Sequence, residues 1–436
     1  MRFSRTAPAA ALLSLALVAT GCGSKKKSPD TTVAPETTVA TAPDTKAGAA
    51  PDTTSAAATD TTVGAAPDST AAVASATTTA GAAGAVNSDL KAAGCPSPLV
   101  IQTDWYGEVD HSELYALAGD GGTVDKEKGR YTAALIDPRN GTDTGVQIEI
   151  RNGGPATQFQ NPVTLMPTDK SIFAGYVGSD EAVQHAKDAP VMLVIAPREK
   201  SPQIIMWDPA TYPDVKSIAD LKAKKVTIRH FKGATYFDYL LGAGIVDAAQ
   251  DDPSYDGSSA VFIAQGGKIA QQGFATAEPY VYKNVFKAWG KDVAYQLISE
   301  TGFDTYAEAI GVTKDTFEAK KGCLKGLVPM IQAAQVNFIK NPGPTEARIV
   351  KVVTDEGGSW TYDAGQATAA TALSLQNKVI DNGPDKTLGN FDDAKNQKII
   401  DILKPIQAKA GNPVPDGLKP SDFATNEFID PSIGLP

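Results

Sequence analysis

At Ser217 the chain starts its pattern over, and that restart limits the fold more than any composition does. From residue 98 onward short apolar runs alternate with stretches of helical periodicity. Such alternation builds strands joined by crossover helices, an α/β fold with a largely parallel sheet. Residues 98–103 (PLVIQT) read as the first strand and Ser112–Leu117 as the start of the following helix. Residues 146–150 alternate as a strand does. Residues 172–177 form another, leading into Gly178-Ser179-Asp180, where Ser179 or Asp180 suits the cap of a helix from Glu181. PVMLVIA (190–196) and QIIMW (203–207) are two further strands. Then residues 217–222 open a short helix, 225–230 read as a strand, and the turn Phe231-Lys232-Gly233-Ala234 opens a helix through Tyr236. Ala260–Ala264 reads as a strand again, and residues 293–299 as the strand that returns to the first half. Amphipathic helices at 327–339, 344–355 and 394–408 follow. A pattern that restarts and returns predicts a two-lobed α/β chain with two crossover strands. Residues 91–207 and 290–436 form its first lobe and 208–289 its second.

Ahead of this region the composition changes completely. Residues 23–88 contain no aromatic, leucine or isoleucine, and a loose repeat recurs at Ala34-Pro35-Glu36-Thr37, Ala42-Pro43-Asp44-Thr45, Ala50-Pro51-Asp52-Thr53 and Ala66-Pro67-Asp68-Ser69. Nothing there offsets the entropy of ordering, so residues 22–90 are expected to be a disordered tether with a reach of roughly 45–50 Å. In front of it, Arg2 and Arg5 precede an apolar run over 7–18, too short for a permanent span. Residues 1–21 thus read as a signal peptide ending in Ala19-Thr20-Gly21-Cys22, which resembles a bacterial lipobox, with Ala19 where leucine is commonest. That resemblance implies cleavage before Cys22 and a diacylglycerol on it, with Lys25, Lys26 and Lys27 placed to meet anionic headgroups. The chain is then lipid-anchored on the extracytoplasmic face of the cell membrane. In that oxidising setting the remaining cysteines, Cys95 and Cys323, are expected to form a disulfide. The net charge of −10 argues against nucleic acid as a partner.

The stretch QTDWYGEVDHSELY (102–115) concentrates acids, aromatics and one of the three histidines of the chain. Catalysis would need a positioned donor and acceptor, or a nucleophile with its base. No G-x-S-x-G, HExxH or S-x-x-K motif accompanies it in a matching context, and neither His185 nor His230 is spaced to share a metal with it. The stretch sits where a strand gives way to a helix, and ligands in open α/β sheets lie beyond the carboxyl ends of strands. Four such loops are the candidate site: residues 104–111, with Trp105, Tyr106, Glu108 and His111; Ser179 and Asp180; Lys232, Gly233, Thr235 and Tyr236; and the turn at Glu278. The start of the helix after Gly233 suits an anion. Trp207, Trp289 and Trp360 are expected to serve packing.

Asp104-Trp105-Tyr106 followed by His111-Ser112 and Leu114-Tyr115 resembles the first strand-to-helix loop of solute-binding proteins for thiamine pyrimidine precursors. These belong with the nitrate-, sulfonate- and taurine-binding lipoproteins of ABC importers. SIADLKAKK (217–225) resembles the start of their second lobe, with Ala223 in place of a glycine. Ala277-Glu278-Pro279 looks like their E-P turn, and AAQVNFIKNP (333–342) resembles their C-terminal helix. The resemblance implies a periplasmic-binding-protein-like fold and a monomeric, non-enzymatic protein with no cofactor. Such a protein gives up a pyrimidine-like heterocycle or small anion to transporter permease subunits. Carried over by residue, Trp105 and Tyr106 stack on the ligand and His111 faces it. Gly107 and Glu108 stand where proline and asparagine are frequent in the family. The competing classes are an extracytoplasmic enzyme using the 104–111 cluster and a ligand sensor that does not transport.

Overall fold

A computed structural model describes residues 88–436. The signal peptide, Cys22 and the tether up to residue 87 lie outside the described residues. Leu90, which composition allots to the tether, is fully buried in the first core.

Among the described residues twelve strands form two mixed sheets. The first six are β1 (Leu99–Gln102), β2 (Thr123–Asp125), β3 (Arg130–Asp137), β4 (Thr142–Arg151), β5 (Ala174–Val177) and β6 (Val191–Ile195). Then come β7 (Gln203–Trp207), β8 (Ile228–Arg229), β9 (Asp251–Asp252), β10 (Ala270–Phe274), β11 (Ala294–Leu297) and β12 (Ala309–Thr313). The first sheet runs β2-β3-β4-β1-β5-β12-β6 and the second β11-β7-β10-β8-β9. β1 pairs parallel with β4 and β5, at the centre of the first sheet, and is buried along its whole length. β3 alternates buried and half-buried positions, as a strand with one wet face must. The chain leaves the first sheet after β6 and returns to it at β12, so residues 197–202 and 298–308 are the two connections between the lobes. The fold is α/β, two-lobed and periplasmic-binding-protein-like.

Several elements depart from the sequence pattern. Gln203–Trp207 and residues 294–297, expected in the first lobe, both lie in the second sheet, where β7 is antiparallel to β10 and β11. An apolar run fixes that a strand is buried, not which sheet it joins. Ala260–Ala264 is a helix, with Phe262 in the core. A short apolar run does not distinguish the two states. Here the preceding turn decides: Asp256 accepts from Ser258 N and Ser258 Oγ accepts from Ala260 N. The actual strand, AQQGF, hides behind its glutamines. Gln271 donates to the Tyr282 hydroxyl at 3.0 Å, and Gln272 accepts from Phe231 N and the Tyr236 hydroxyl, both at 2.7 Å.

The cores follow from the layers. One packs the helix Lys321–Lys340 against β1, β3 and β4. A second contains Val100 and Leu193 of the first sheet, Ile205 and Ile228 of the second, and Leu403. Leu403 belongs to the helix Asp393–Lys409, which packs on both Ser179–Gln184 and Thr235–Gly242. Cys95 and Cys323 form a disulfide with their Cα atoms 4.9 Å apart, tying the segment before β1 to the helix Lys321–Lys340. Among the described residues no helix is long and apolar enough to cross a membrane.

Candidate functional site

The loop after β1 is held open by its own backbone. Thr103 Oγ1 donates to the carbonyls of Arg151 (2.8 Å) and Trp105 (2.6 Å), and Gly153 N donates to Trp105 O at 2.9 Å. This turns Trp105 out of the sheet and into a slot between two glycines. Gly154 (φ +56°) and Gly257 (φ +83°), from opposite lobes, leave no room for a β-carbon: one would lie 2.5 Å and 2.9 Å from the indole. Around Trp105 the aromatic side chains form a wall. Tyr106 stacks on Trp360 with centroids 5.4 Å apart and planes at 12°, and Trp360 runs parallel to Tyr362 at 6.5 Å. Trp360 Nε1 donates to Gly107 O, and Val109 N donates to the Tyr362 hydroxyl, so loop and wall brace each other.

The wall closes one side of a cavity of about 410 Å³. Tyr255, Tyr280, Tyr282 and Phe286 also line it, and Glu108, Asp256, Thr276, Glu278 and Gln366 supply polar groups. Among the described residues that line it there is no lysine, arginine or histidine. A cavity of this size with a largely apolar lining suits a small organic ligand. Another cavity, of about 360 Å³, lies by Ala182, Lys314 and Leu418, away from this loop.

Of the residues singled out by sequence, Trp105, Tyr106, Glu108 and Glu278 meet in this cavity, and the others do not line it. His111 is fully buried behind the loop, its Nε2 3.0 Å from Asp104 and its ring against Tyr176. Ser179 is fully buried and accepts from Tyr306 N. The Thr235 hydroxyl donates to Asp180, so the helix start that suits an anion already has a carboxylate from the other lobe. Lys232 and Gly233 are exposed. Tyr236 holds Gln272. Trp207 is core, whereas Trp360 lines the cavity. Sequence reasoning passed over Tyr255 and Tyr362 and gave Trp360 to packing. Their signal is an aromatic in a loop of glycine, serine and aspartate (DDPSYDGSS, GGSWTYD), where no apolar period accounts for it.

Behind the cavity lies an acidic cluster with one strong base. Arg198, fully buried in the first connection, sits 2.7 Å from Glu308 in the second, 3.6 Å from Asp110 and 3.8 Å from Glu113. Its Nη2 also donates to Val109 O at 3.4 Å. Burial works against the guanidinium charge, but Glu308, Glu113 and Asp110 outweigh it and hold Arg198 protonated. Asp110 accepts from Thr276 of the other lobe at 2.8 Å. Asp104, His111 and Glu308 each bring one ligand atom within 4.8 Å of the others. Three ligands can hold a metal, yet Arg198 already supplies the positive charge at Glu308, so a divalent ion fits poorly. The Ser112 hydroxyl faces Gln335 at 3.5 Å rather than His111. No nucleophile is paired with a base there.

Three glutamates, Glu108, Glu308 and Glu278, hold their protons above the usual range. Burial raises Glu108 well above it, with Asp110, Asp104 and Glu278 adding repulsion. Burial likewise raises Glu308, against the pull of Arg198. Glu278 is pushed up to about 7 by burial, against the Phe274 N–H that it accepts. Between the ordinary glutamate value of 4.5 and about 7 the folded chain therefore binds more protons than the unfolded one. Its stability falls as pH rises through that window. A lower urea midpoint at about pH 8 than at about pH 5 is the expected result; an equal or higher one would mean these carboxyls are charged and paired.

Residues 142–344 match the model of the NMT1/THI5-like family. No curated protein matches the chain by sequence. A solved structure from Bordetella bronchiseptica RB50 superposes with a TM-score of 0.50 and 15% identity, covering 76% of this chain and 96% of that one. The alkanesulfonate-binding protein SsuA from Xanthomonas axonopodis pv. citri, bound to MOPS, gives 0.49 and 12%, covering 76% and 99%. The aliphatic sulphonate binding protein SsuA from Escherichia coli gives 0.46 and 14%, covering 72% and 89%.

Proposed function

We propose, from its periplasmic-binding-protein-like fold and its NMT1/THI5-like segment, that this chain is the solute-binding component of an ABC importer. Lipid on Cys22 and the tether after it would hold it at the extracytoplasmic face, within reach of permease subunits. The cargo is a small molecule with a planar ring, a pyrimidine-like heterocycle among them. One observation carries the reading: a cavity walled by aromatic rings from both lobes, with few polar groups to orient what enters. No reaction is needed at such a site. The lobe boundaries we assign follow the connections at 197–202 and 298–308.

Trp105 is the anchor, since both lobes shape themselves around it. Trp105→Ala is expected to weaken the bound solute by roughly 2 kcal/mol, about thirtyfold. Native mass spectrometry of protein purified from its own cells identifies the solute, and titration of the variant reads the loss. Equal affinity in Trp105→Ala, or turnover of the solute by the purified protein, would count against this function.

A further inference from the structure

We infer that the solute is an organic cation: a protonated amine, amidine or quaternary ammonium group carried on a flat or apolar body. This rests on the proposed binding function and specifies the charge of the cargo.

The first ground is an unmatched carboxyl. Glu108 is only 5% exposed, lines the cavity, and among the described residues has no hydrogen-bond donor or basic partner for its side chain. Burial keeps that carboxyl protonated in the ligand-free protein, and a cation in the cavity would complete it as a carboxylate. Nothing in the protein does so. The charge of Arg198 is taken up by Glu308, and Asp256 is met by Arg229 at 3.3 Å. Glu278, another carboxyl of the cavity, accepts only from backbone N–H groups, those of Phe274 and of Glu278 itself.

The second ground is the lining itself. Tyr106, Tyr255, Tyr282 and Trp360 all line the cavity. Aromatic faces carry negative potential and attract a desolvated cation by about 2 kcal/mol or more. Carboxyls and ring faces thus select the same sign of charge. No basic side chain lines the cavity to meet an anion, and the helix start that would suit one is filled by Asp180.

The test uses the full chain with choline and agmatine as cations, cytosine as a neutral ring, and taurine and MOPS as anions. Thermal midpoints and titration calorimetry are read at millimolar probe concentrations. At least one cation is expected to raise the midpoint and bind, while taurine and MOPS do neither. Glu108→Gln should weaken that cation at least about tenfold. The ligand-free variant should melt no lower than the parent, because the carboxyl it replaces has no partner to lose. If Glu108→Gln fails to fold, Glu278→Gln replaces it with the same expected loss.

Binding of cytosine, taurine or MOPS that is lost in Trp105→Ala, with neither cation binding, overturns the charge assignment and leaves the binding function standing. Cation binding unaffected by both Glu108→Gln and Trp105→Ala removes both. No response to either cation overturns the inference as stated.

Discussion

Arg198→Met is expected to destabilise the protein by about 3–5 kcal/mol at neutral pH, one of the two largest single effects here. Methionine fills similar volume, so little of the loss is a cavity. The cost comes from Glu308, Asp110 and Glu113, left in the interior with no strong base beside them. Glu308, already raised by burial, can escape by taking up a proton, so the loss should shrink at about pH 5. Urea midpoints at the two pH values check it. Equal losses at both would mean that Arg198 acts through packing alone. Adding Glu308→Gln should recover part of the stability, which a double-mutant cycle measures. Because Arg198 and Glu308 stand in the two connections between the lobes, and Arg198 also holds Val109 O, the variant should weaken solute binding as well.

Removing the disulfide with Cys95→Ala and Cys323→Ala together is expected to cost about 2–5 kcal/mol. The bridge joins residues 228 apart, so its loss frees a long loop in the unfolded chain. The folded site is distant from it, so solute affinity should stay at the parent value while the denaturation midpoint falls. A reductant should lower the midpoint of the parent and leave that of the double variant unchanged. An affinity that drops with the bridge would show instead that the link shapes the folded lobe.

What the sequence makes legible divides by mechanism. β1, β6 and the helix Ser112–Leu117 announce themselves because buried strands and short apolar helical runs follow local rules. The cysteine pair needs only parity and compartment. β10 does not show, since a strand whose buried side chains are glutamines looks polar until their hydrogen bonds are seen. Arg198 and Glu308 are equally silent: no local pattern says that a basic and an acidic residue 110 positions apart will meet. In the site, the 104–111 loop is visible by its aromatics. The partners of those aromatics come from loops at 255 and 360, whose approach only the tertiary fold brings about. His111 illustrates the opposite error, a chemically attractive side chain that the fold turns inward.

The core that runs from Val100 through Ile205 and Ile228 to Leu403 belongs to neither lobe. The two halves therefore form a single cooperative unit in melting. Opening of the cleft must also leave that shared packing in place. Such a constraint favours a small shear of one packed face along the helix Asp393–Lys409 over a wide swing of the lobes.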